Sequence, residues 1–403
     1  MSDITVSRWH TAWQKVVTGN AIISVFALIL AMLAGSILIV LTDPKVAETA
    51  SYFFARPTDT LAAIWNSVAG AYTSLFQGSV YNFRASSFAK GIRPLTETLN
   101  FATPLIAAGL GVGLAFRVGM FNIGGRGQML IAASIAGWVG FGFQLPWGLH
   151  MIVALLAGIL GGALWAGIAG LLKARTGAHE VIVTIMLNYI GYYFVTWMLS
   201  TKGLLQAPGS DNPKSPPTPE SARFPHLFGD MYNVHFGFVL SLIAVAVVWW
   251  LLVRSRLGFQ LRAVGENPSA ARVAGISVPR MYFIAMLISG ALVGLAGVSQ
   301  VLGTVTSGFS SGIDAGVGFD AITVALLGRS SPVGILGAGL LFGALKAGGF
   351  SMQAANGIPI DIVLVVQSLI VLFIAAPPLI RAIFRLPDPE RVKKAAATQE
   401  VSK

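Results

Sequence analysis

The sequence predicts an all-α, polytopic membrane protein. Of its residues, 55% are hydrophobic and only 11% are charged, whereas an ordinary soluble domain is about 25% charged. Apolar runs of about 20 residues recur along the chain, and a helix needs that length to cross a ~30 Å hydrocarbon core. The 46 glycines favour close helix contacts, because small residues let backbones approach in lipid.

Ten apolar segments are candidate spans. The first is longer than the ~7–15-residue core of a signal peptide, so we expect an uncleaved anchor. The eighth is too short to cross as a full helix, which predicts a half-helix. We therefore expect about ten transmembrane segments, including broken or half helices. The segments are 19–41, 98–116, 128–145, 148–172, 181–200, 237–253, 281–303, 318–328, 332–348 and 358–380.

The distribution of basic residues predicts the orientation. If the N-terminus is cytoplasmic, 18 of the 27 arginines and lysines fall in cytoplasmic segments, as the positive-inside tendency requires. We expect a plasma-membrane protein with a cytoplasmic N-terminus at 1–18, a transmembrane domain at 19–380 and a cytoplasmic tail at 381–403. The net charge of +11 follows from this bias, so no nucleic-acid polymer is expected as a partner.

Two segments are expected outside the cytoplasm. The first, 42–97, contains a weakly amphipathic stretch at 61–77. The second, 201–236, contains six prolines, which predict an extended cap rather than a folded domain.

The segment 254–280 is the one long polar stretch on the predicted cytoplasmic side, with five arginines against the single acid Glu266. Asn267 can accept from first-turn N–H groups, and Pro268 suits the first helical position. Gly275 can adopt the left-handed conformation that ends a helix. The pattern predicts a helix of about two turns, marginal on its own. A capped basic helix facing the cytoplasm suggests a docking surface for a soluble partner, although a simple linking helix is the alternative.

Two glycine-interrupted segments, 121–137 and 318–334, resemble each other loosely. Corresponding broken segments in two halves of a transporter indicate a solute site near the membrane midplane. Chance similarity between glycine-rich segments is the alternative.

Polar and aromatic residues in or near the spans are the candidate solute pathway. Asn and Gln pair with both donors and acceptors, and aromatic faces stack on flat bases, so the set suits a neutral heterocycle on a sugar. For each residue alone, interhelical hydrogen bonding is an alternative, and Asp320 could instead be a helix cap. Glu180 has the same alternative at the start of its span. The candidates are Phe121, Asn122, Gln128, Asn188, Tyr192, Gln300, Phe319 and Asp320.

The sequence lacks the residues needed for thiol chemistry, metal binding and ATP binding. The chain has no cysteine, which excludes disulfides and thiol chemistry. His179 has no second ligand at metal-binding spacing, and no H-E-x-x-H pattern occurs. There is no Walker A pattern either. We expect no catalytic residue, no metal and no cofactor bound by this chain, and any ATP hydrolysis would belong to a separate subunit.

Specific motifs resemble those of a known family. Gly265-Glu266-Asn267-Pro268, Ala270-Ala271 and Gly275 resemble the coupling loop of bacterial ABC importer permeases. Phe121-Asn122-Ile123-Gly124 followed by Gly127-Gln128 resembles the simple-sugar and nucleoside branch of those permeases. Further similar segments, within a resemblance that runs from about 95 to 380, are Glu180-Val181-Ile182, Met186-Leu187-Asn188-Tyr189 and Gly318-Phe319-Asp320-Ala321. Arg126 departs from the family, which often has an acidic residue there.

The resemblance implies an ABC importer permease fold and a set of partners. These are a cytoplasmic ABC ATPase that uses ATP, a second permease chain that is related but not identical, an extracytoplasmic solute-binding lipoprotein, and membrane lipid. It implies a nucleoside as the solute, with simple sugars and branched-chain amino acids as alternatives. The residues it assigns to ATPase coupling are Gly265, Glu266, Asn267, Pro268, Ala270, Ala271, Arg272 and Gly275.

The competing class is an ion-coupled secondary transporter, which also uses broken helices. Such a transporter needs titratable groups within the membrane. Asp320 and Asp361 are the candidate acids, and both lie near the ends of predicted spans.

Overall fold

A computed structural model describes residues 20–385, so the predicted segment 1–18 and residues 386–403 of the predicted tail lie outside the described part. Fifteen α-helices and one π-helical turn form that part. The helices are α1 Asn20–Thr42, α2 Pro44–Ala50, α3 Pro57–Ser79, α4 Phe88–Arg117, α5 Gly125–Gly142, α6 Leu149–Thr176, α7 Glu180–Ser200, α8 Gly237–Arg254, α9 Arg256–Glu266, α10 Pro268–Val273, α11 Val278–Ser299, α12 Val317–Leu327, α13 Pro332–Asn356, α14 Asp361–Ala375 and α15 Pro377–Ile383, with the π-helical turn at Gln300–Thr304.

The predicted fold class is confirmed. Within 20–385, seven helices are long and apolar enough to span a membrane, namely α1, α4, α6, α7, α8, α11 with its π-helical turn, and α13. Each of the ten predicted segments overlaps helix, although 358–380 covers two helices. The predicted half-helix is α12, whose 11 residues extend for about 16 Å at 1.5 Å per residue, roughly half of a membrane core.

Residues 75–351 form one compact unit. The helix α4 lies deep in it, with 83% of its apolar window buried. The helices α6 and α11 touch through glycines, because a Cβ on Gly162 would lie 2.6 Å from the carbonyl oxygen of Gly290. This contact explains part of the high glycine content, since only small residues permit such an approach.

The extracytoplasmic segment predicted at 42–97 is more helical than expected. It contains all of α2 and α3, and α4 begins at Phe88 rather than near 98. The first turns of α4 carry Lys90, Arg93 and Glu97. These charges lower the mean hydropathy, so the apolar run predicted only the later part of the helix. Ser87 caps the early start by accepting from the Lys90 N–H.

The proline-rich segment 201–236 has no helix, as its composition predicts. It is anchored to 301–309: the Phe224 N–H donates to the Leu302 carbonyl at 2.8 Å, and the Thr218 hydroxyl donates to the Val301 carbonyl at 2.9 Å. We call this segment the cap. Its side chains Leu205, Ala222 and Phe224 are buried, so the cap contributes to the core.

Residues up to 74 and from 352 onward form the second compact unit. Within it α1 packs along α14, and Tyr72 on α3 donates its hydroxyl to the Met32 carbonyl on α1. The predicted span at 358–380 is wrong as a single helix. It divides at Ala376 into α14 and α15 because Pro377 begins a new helix.

Candidate functional site

The first part of the candidate site is the break between α4 and α5. The helix α4 ends at Arg117 and α5 begins at Gly125, so residues 118–124 lie outside regular helix. Buried backbone N–H and C=O groups need partners wherever water is excluded. Side chains of α7 and of the break itself supply several of them: the Ile123 N–H donates to the Thr184 hydroxyl, and the Gly124 N–H donates to Asn122 Oδ1.

Asn188 on α7 satisfies two of these backbone groups at once. Its Oδ1 accepts from the Gly127 N–H, and its Nδ2 donates to the Ile123 carbonyl, each at 2.8 Å. Asn188 lies eight residues beyond the start of α7 at Glu180, or about 12 Å along the helix. The helix α5 therefore begins part-way along α7 rather than at its end.

Asn122 and Gln128 form a closed pair of amides. Gln128 Nε2 donates to Asn122 Oδ1 at 2.9 Å, and Asn122 Nδ2 donates to Gln128 Oε1 at 3.1 Å. Asn122 Nδ2 also donates to the Ser289 hydroxyl of α11 at 2.8 Å, and that hydroxyl donates to the Gly111 carbonyl of α4. Both amides are buried, so they tie α4, α5 and α11 together around the break.

Glu180 lies at the other end of the break. One carboxylate oxygen is 2.8 Å from Lys173 Nζ on α6, and the other accepts from the Phe121 N–H at 3.5 Å. The Phe121 ring packs against Phe116 at 4.6 Å between centroids. Glu180 thus joins the ends of α6 and α7 to the broken segment, a contact that its helix-start position alone did not predict.

The two glycine-interrupted segments meet. A Cβ on Gly125 would lie 2.6 Å from the carbonyl oxygen of Gly318, and a Cβ on Gly318 would overlap the Arg126 backbone. The N-terminus of α5 therefore abuts the N-terminus of α12. The convergence agrees with the expectation that the two segments share a location, and it brings the positive ends of two helix dipoles together.

Two ion pairs flank this junction. Arg126 Nε lies 3.4 Å from Asp314 Oδ1, and Lys346 Nζ lies 2.6 Å from Asp320 Oδ2. Lys346 also donates to the Ala315 carbonyl at 3.3 Å. Sequence analysis missed Asp314, although an acid inside the glycine-rich run SSGIDAG was a usable signal. Lys346 lies inside α13.

The remaining pathway candidates, except Gln300, lie near the α5–α12 junction. Phe121 and Phe319 are each 49% exposed, one on each broken segment. Tyr192 on α7 presents its ring to the Arg126 guanidinium at 4.5 Å. Gln300 opens the π-helical turn, 11 residues beyond Ser289 and so about 16 Å from the amide pair. The structure thus brings together seven of the eight candidates around the α5–α12 junction and separates Gln300 from them.

The second part of the candidate site is the segment 254–280, here called the coupling segment. The predicted helix is confirmed as α10: Asn267 Oδ1 accepts from the Ser269 and Ala270 N–H groups at 3.0 and 3.1 Å. Gly275 has a φ of 80°, the left-handed conformation expected of a helix stop. Exposed positions include Glu266, Pro268, Ala270, Arg272 and Gly275, whereas Ala271 is buried.

A second helix, α9, precedes it and was not predicted. Its buried residues Leu261 and Val264 lie three apart, so α9 is amphipathic, with Phe259 exposed on its outer side. A groove of about 560 Å³ runs along it, lined in part by Arg254, Arg256, Phe259, Arg262 and Ile276. The coupling segment therefore contains two consecutive helices and a basic groove rather than one short helix in a loop.

Comparisons with known proteins agree with this architecture. The family model described as "Branched-chain amino acid transport system / permease component" matches residues 95–375. The guanosine ABC transporter permease protein NupP of Bacillus subtilis is 36% identical over 364 residues, covering 90% of this chain and 95% of that protein. No solved structure matches the chain.

Two further relatives are similar over most of their length. The glucose ABC transporter permease protein TsgB13 of Haloferax volcanii is 35% identical over 70% of this chain and 75% of its own. The nucleoside ABC transporter permease protein NupB of Lactococcus lactis is 36% identical over 76% of this chain and 85% of its own. With the family model covering most of the chain, this protein belongs to the branched-chain amino acid transport system permease family and is a multi-pass permease subunit of an ABC importer, a transport component whose ATPase is a separate subunit.

Proposed function

We propose that this permease moves nucleosides across the plasma membrane at the expense of ATP. The observation that carries the proposal is the similarity to a guanosine permease over nearly the whole of both chains. The half-exposed rings of Phe121 and Phe319 at the two broken segments support it. An aromatic ring can stack on any nucleobase, because every base has a flat π-face.

The coupling segment is the docking surface for the ATPase in this proposal. Its exposed groups are a basic groove along α9 and the exposed face of α10. Asn267 and Gly275 fix both ends of α10, so a partner that pushes on this short helix moves it as a rigid piece. We assign the coupling segment and both termini to the cytoplasm on the positive-inside distribution of charge.

Two partners belong on other surfaces. A solute-binding lipoprotein would deliver the nucleoside to the extracytoplasmic cap. A second, related permease would cover the face of α7 that carries the exposed Tyr189 and Tyr193, because lipid tails cannot satisfy their phenol groups.

The roles of the candidate pathway residues follow from their contacts. Phe121, Tyr192 and Phe319 are the solute-facing residues. Asn122 and Gln128 bond each other, and Asn188 bonds the backbone. We therefore assign these three residues to maintaining the conformation of the break. Asp320 fixes the start of α12 through Lys346, and Gln300 contacts solute only at the extracytoplasmic end.

ATP drives the cycle by changing the contacts of the coupling segment. Closure of the ATPase displaces α9 and α10, and the break beside them transmits the movement to the α5–α12 junction. A partner shifts such an equilibrium only through different affinities for the two states, so the ATPase must bind α10 differently in each.

The docking proposal is tested by charge reversal on two matched arginines. Arg272 and Arg175 each lie exposed in the last turn of a helix, α10 and α6 respectively. We expect Arg272→Glu to abolish co-purification of the ATPase and Arg175→Glu to retain it. Normal ATPase recovery with Arg272→Glu would remove α10 from the docking surface.

Simple sugars are the second candidate solute, favoured by the similarity to a glucose permease. Uptake of labelled guanosine and glucose by cells expressing the complete transporter separates the two. Nucleoside uptake that depends on this chain supports the first proposal, and glucose uptake alone contradicts it.

Ion-coupled transport has little support. It needs a titratable acid within the membrane, but Asp320 is held by Lys346 and Asp314 by Arg126.

A further inference from the structure

Arg126 places a guanidinium at the junction of the two broken segments. It is the second residue of α5, and its backbone lies against Gly318 of α12. The residue therefore occupies the point where the two short helices begin, at the depth assigned to the solute.

The guanidinium is held from two sides. Asp314 lies 3.4 Å from Nε, and the Tyr192 ring lies 4.5 Å from the central carbon. The side chain of Asp314 is only 5% exposed and that of Arg126 is 32% exposed. The carboxylate and the ring thus fix the inner edge of the guanidinium, while part of the side chain reaches open space.

A charged side chain facing lipid at this depth is costly, and such residues face the bundle interior or a water-filled cavity. Among residues 20–385, the buried Nε of Arg126 has no hydrogen bond beyond its ion pair with Asp314, and none is seen for the two terminal amino groups. The two terminal amino groups of Arg126 therefore form a planar pair of donors that is available to a solute.

We propose that Arg126 is a specificity-determining residue that reads the O6/N7 edge of a 6-oxopurine nucleoside. A guanidinium fork binds the two adjacent acceptors O6 and N7 of guanine with two parallel hydrogen bonds. Adenine presents an amino donor in place of O6, which opposes the fork. Phe319 follows Gly318 directly and is half exposed, so its ring is available to stack on the same base.

This inference rests on the proposed nucleoside function. The test is uptake of labelled guanosine and adenosine by the complete transporter, measured in parallel with one solute-binding protein throughout. Each variant's guanosine-to-adenosine uptake ratio is divided by the wild-type ratio. This division cancels the selectivity of the solute-binding protein itself.

The informative variants separate the fork from the charge. Arg126→Lys keeps the charge and loses the fork, and we expect the normalised uptake ratio to fall about 5- to 150-fold, the range for one bidentate base contact. Arg126→Gln combined with Asp314→Asn removes both charges of the pair, so no orphan carboxylate remains to unfold the protein, and the ratio should fall similarly. Arg175→Lys, on an exposed arginine, should leave the ratio unchanged.

The outcomes are distinct. A normalised ratio near one in the Arg126 variants, with both nucleosides still transported, overturns the inference and leaves the proposed function standing. Equal loss of both nucleosides in both variants also overturns it, because Arg126 would then be structural. If the wild type transports neither nucleoside, the proposed function fails and the inference fails with it.

Discussion

Gly265 packs directly on the backbone of Arg117, so closely that a Cβ at 265 would overlap the Arg117 carbonyl oxygen. Gly265 is near the end of α9, and Arg117 is the last residue of α4, immediately before the break. The Arg117 side chain extends further, donating from Nε to the Ser330 carbonyl just beyond α12 at 3.1 Å. Arg117 therefore contacts the coupling segment and the turn just beyond α12, and it immediately precedes the break between α4 and α5.

Gly265→Ala tests this contact. The added methyl group must push α9 away from Arg117, because the obstacle is backbone and not a flexible side chain. We expect transport to fall at least tenfold while the ATPase still co-purifies and hydrolyses ATP. Uptake and ATP hydrolysis measured together in proteoliposomes check the separation.

Gly337→Ala is the matched control. It makes the same chemical change inside α13, where a Cβ would meet nothing within 4 Å. Alanine in an open helical position is neutral or slightly stabilising, so transport should be normal. Equal losses of transport in both variants would argue against a special role for the Gly265 contact.

Asn188→Ala is expected to destabilise the protein. It leaves the Gly127 N–H and the Ile123 carbonyl without partners inside the bundle, and each unsatisfied buried group costs about 1–3 kcal/mol. Thermal unfolding of the purified protein in detergent measures the loss. Ile190→Ala, at an exposed position on the same helix, should unfold like the wild type. Full stability of Asn188→Ala with lost transport would instead support direct contact between Asn188 and solute.

Asp320 and Lys346 should behave as a coupled pair. Removing either charge alone leaves a partly buried partner uncompensated, since their side chains are 24% and 13% exposed. In a double-mutant cycle with Asp320→Asn and Lys346→Met, we expect a coupling free energy of about 1 kcal/mol or more. Additive losses of stability would mean that the pair contributes little to holding α12.

His235 gives the cap a dependence on pH. Burial lowers the pKa of His235 from 6.5 to about 4, with a smaller contribution from the nearby His226. In the neutral ring, Nδ1 accepts from the Gly237 N–H at 3.1 Å, and Nε2 can donate to the Thr304 hydroxyl, which donates to Asn100. A second proton on the ring would break the first of these bonds.

The sign follows from the two pKa values. Between pH 6.5 and about 4 the unfolded chain binds a proton at position 235 and the folded chain does not, so stability falls as the pH falls through this window. The full loss is about 3 kcal/mol. His235→Gln removes this titration, and its unfolding temperature should fall less between pH 7 and pH 5 than that of the wild type. Parallel curves for the two proteins would show that His235 does not titrate in this range.

Local signals were predictable from the sequence. Asn267, Pro268 and Gly275 define α10 by themselves, because caps and stops act on neighbouring residues. The short length of α12 was likewise readable, since its apolar run ends after a few turns. The glycine breaks indicated where the helices would be interrupted.

Non-local contacts were not predictable. Arg126 and Asp314 are far apart in sequence, and only the meeting of α5 with α12 brings them together. The helix α9 was not predicted, although Leu257, Leu261 and Val264 recur at helical spacing. Asn188 was interpreted as a solute contact, since its residue type could not reveal that both of its polar atoms bind the backbone.

The most direct test of the account is uptake in proteoliposomes that contain the complete transporter with wild-type or Gly265→Ala permease. We predict guanosine uptake by the wild type that requires ATP and is insensitive to collapse of the proton and sodium gradients. With Gly265→Ala, the ATPase should remain bound and uptake should be lost. Wild-type uptake that persists without ATP and disappears with an ion gradient would contradict the account.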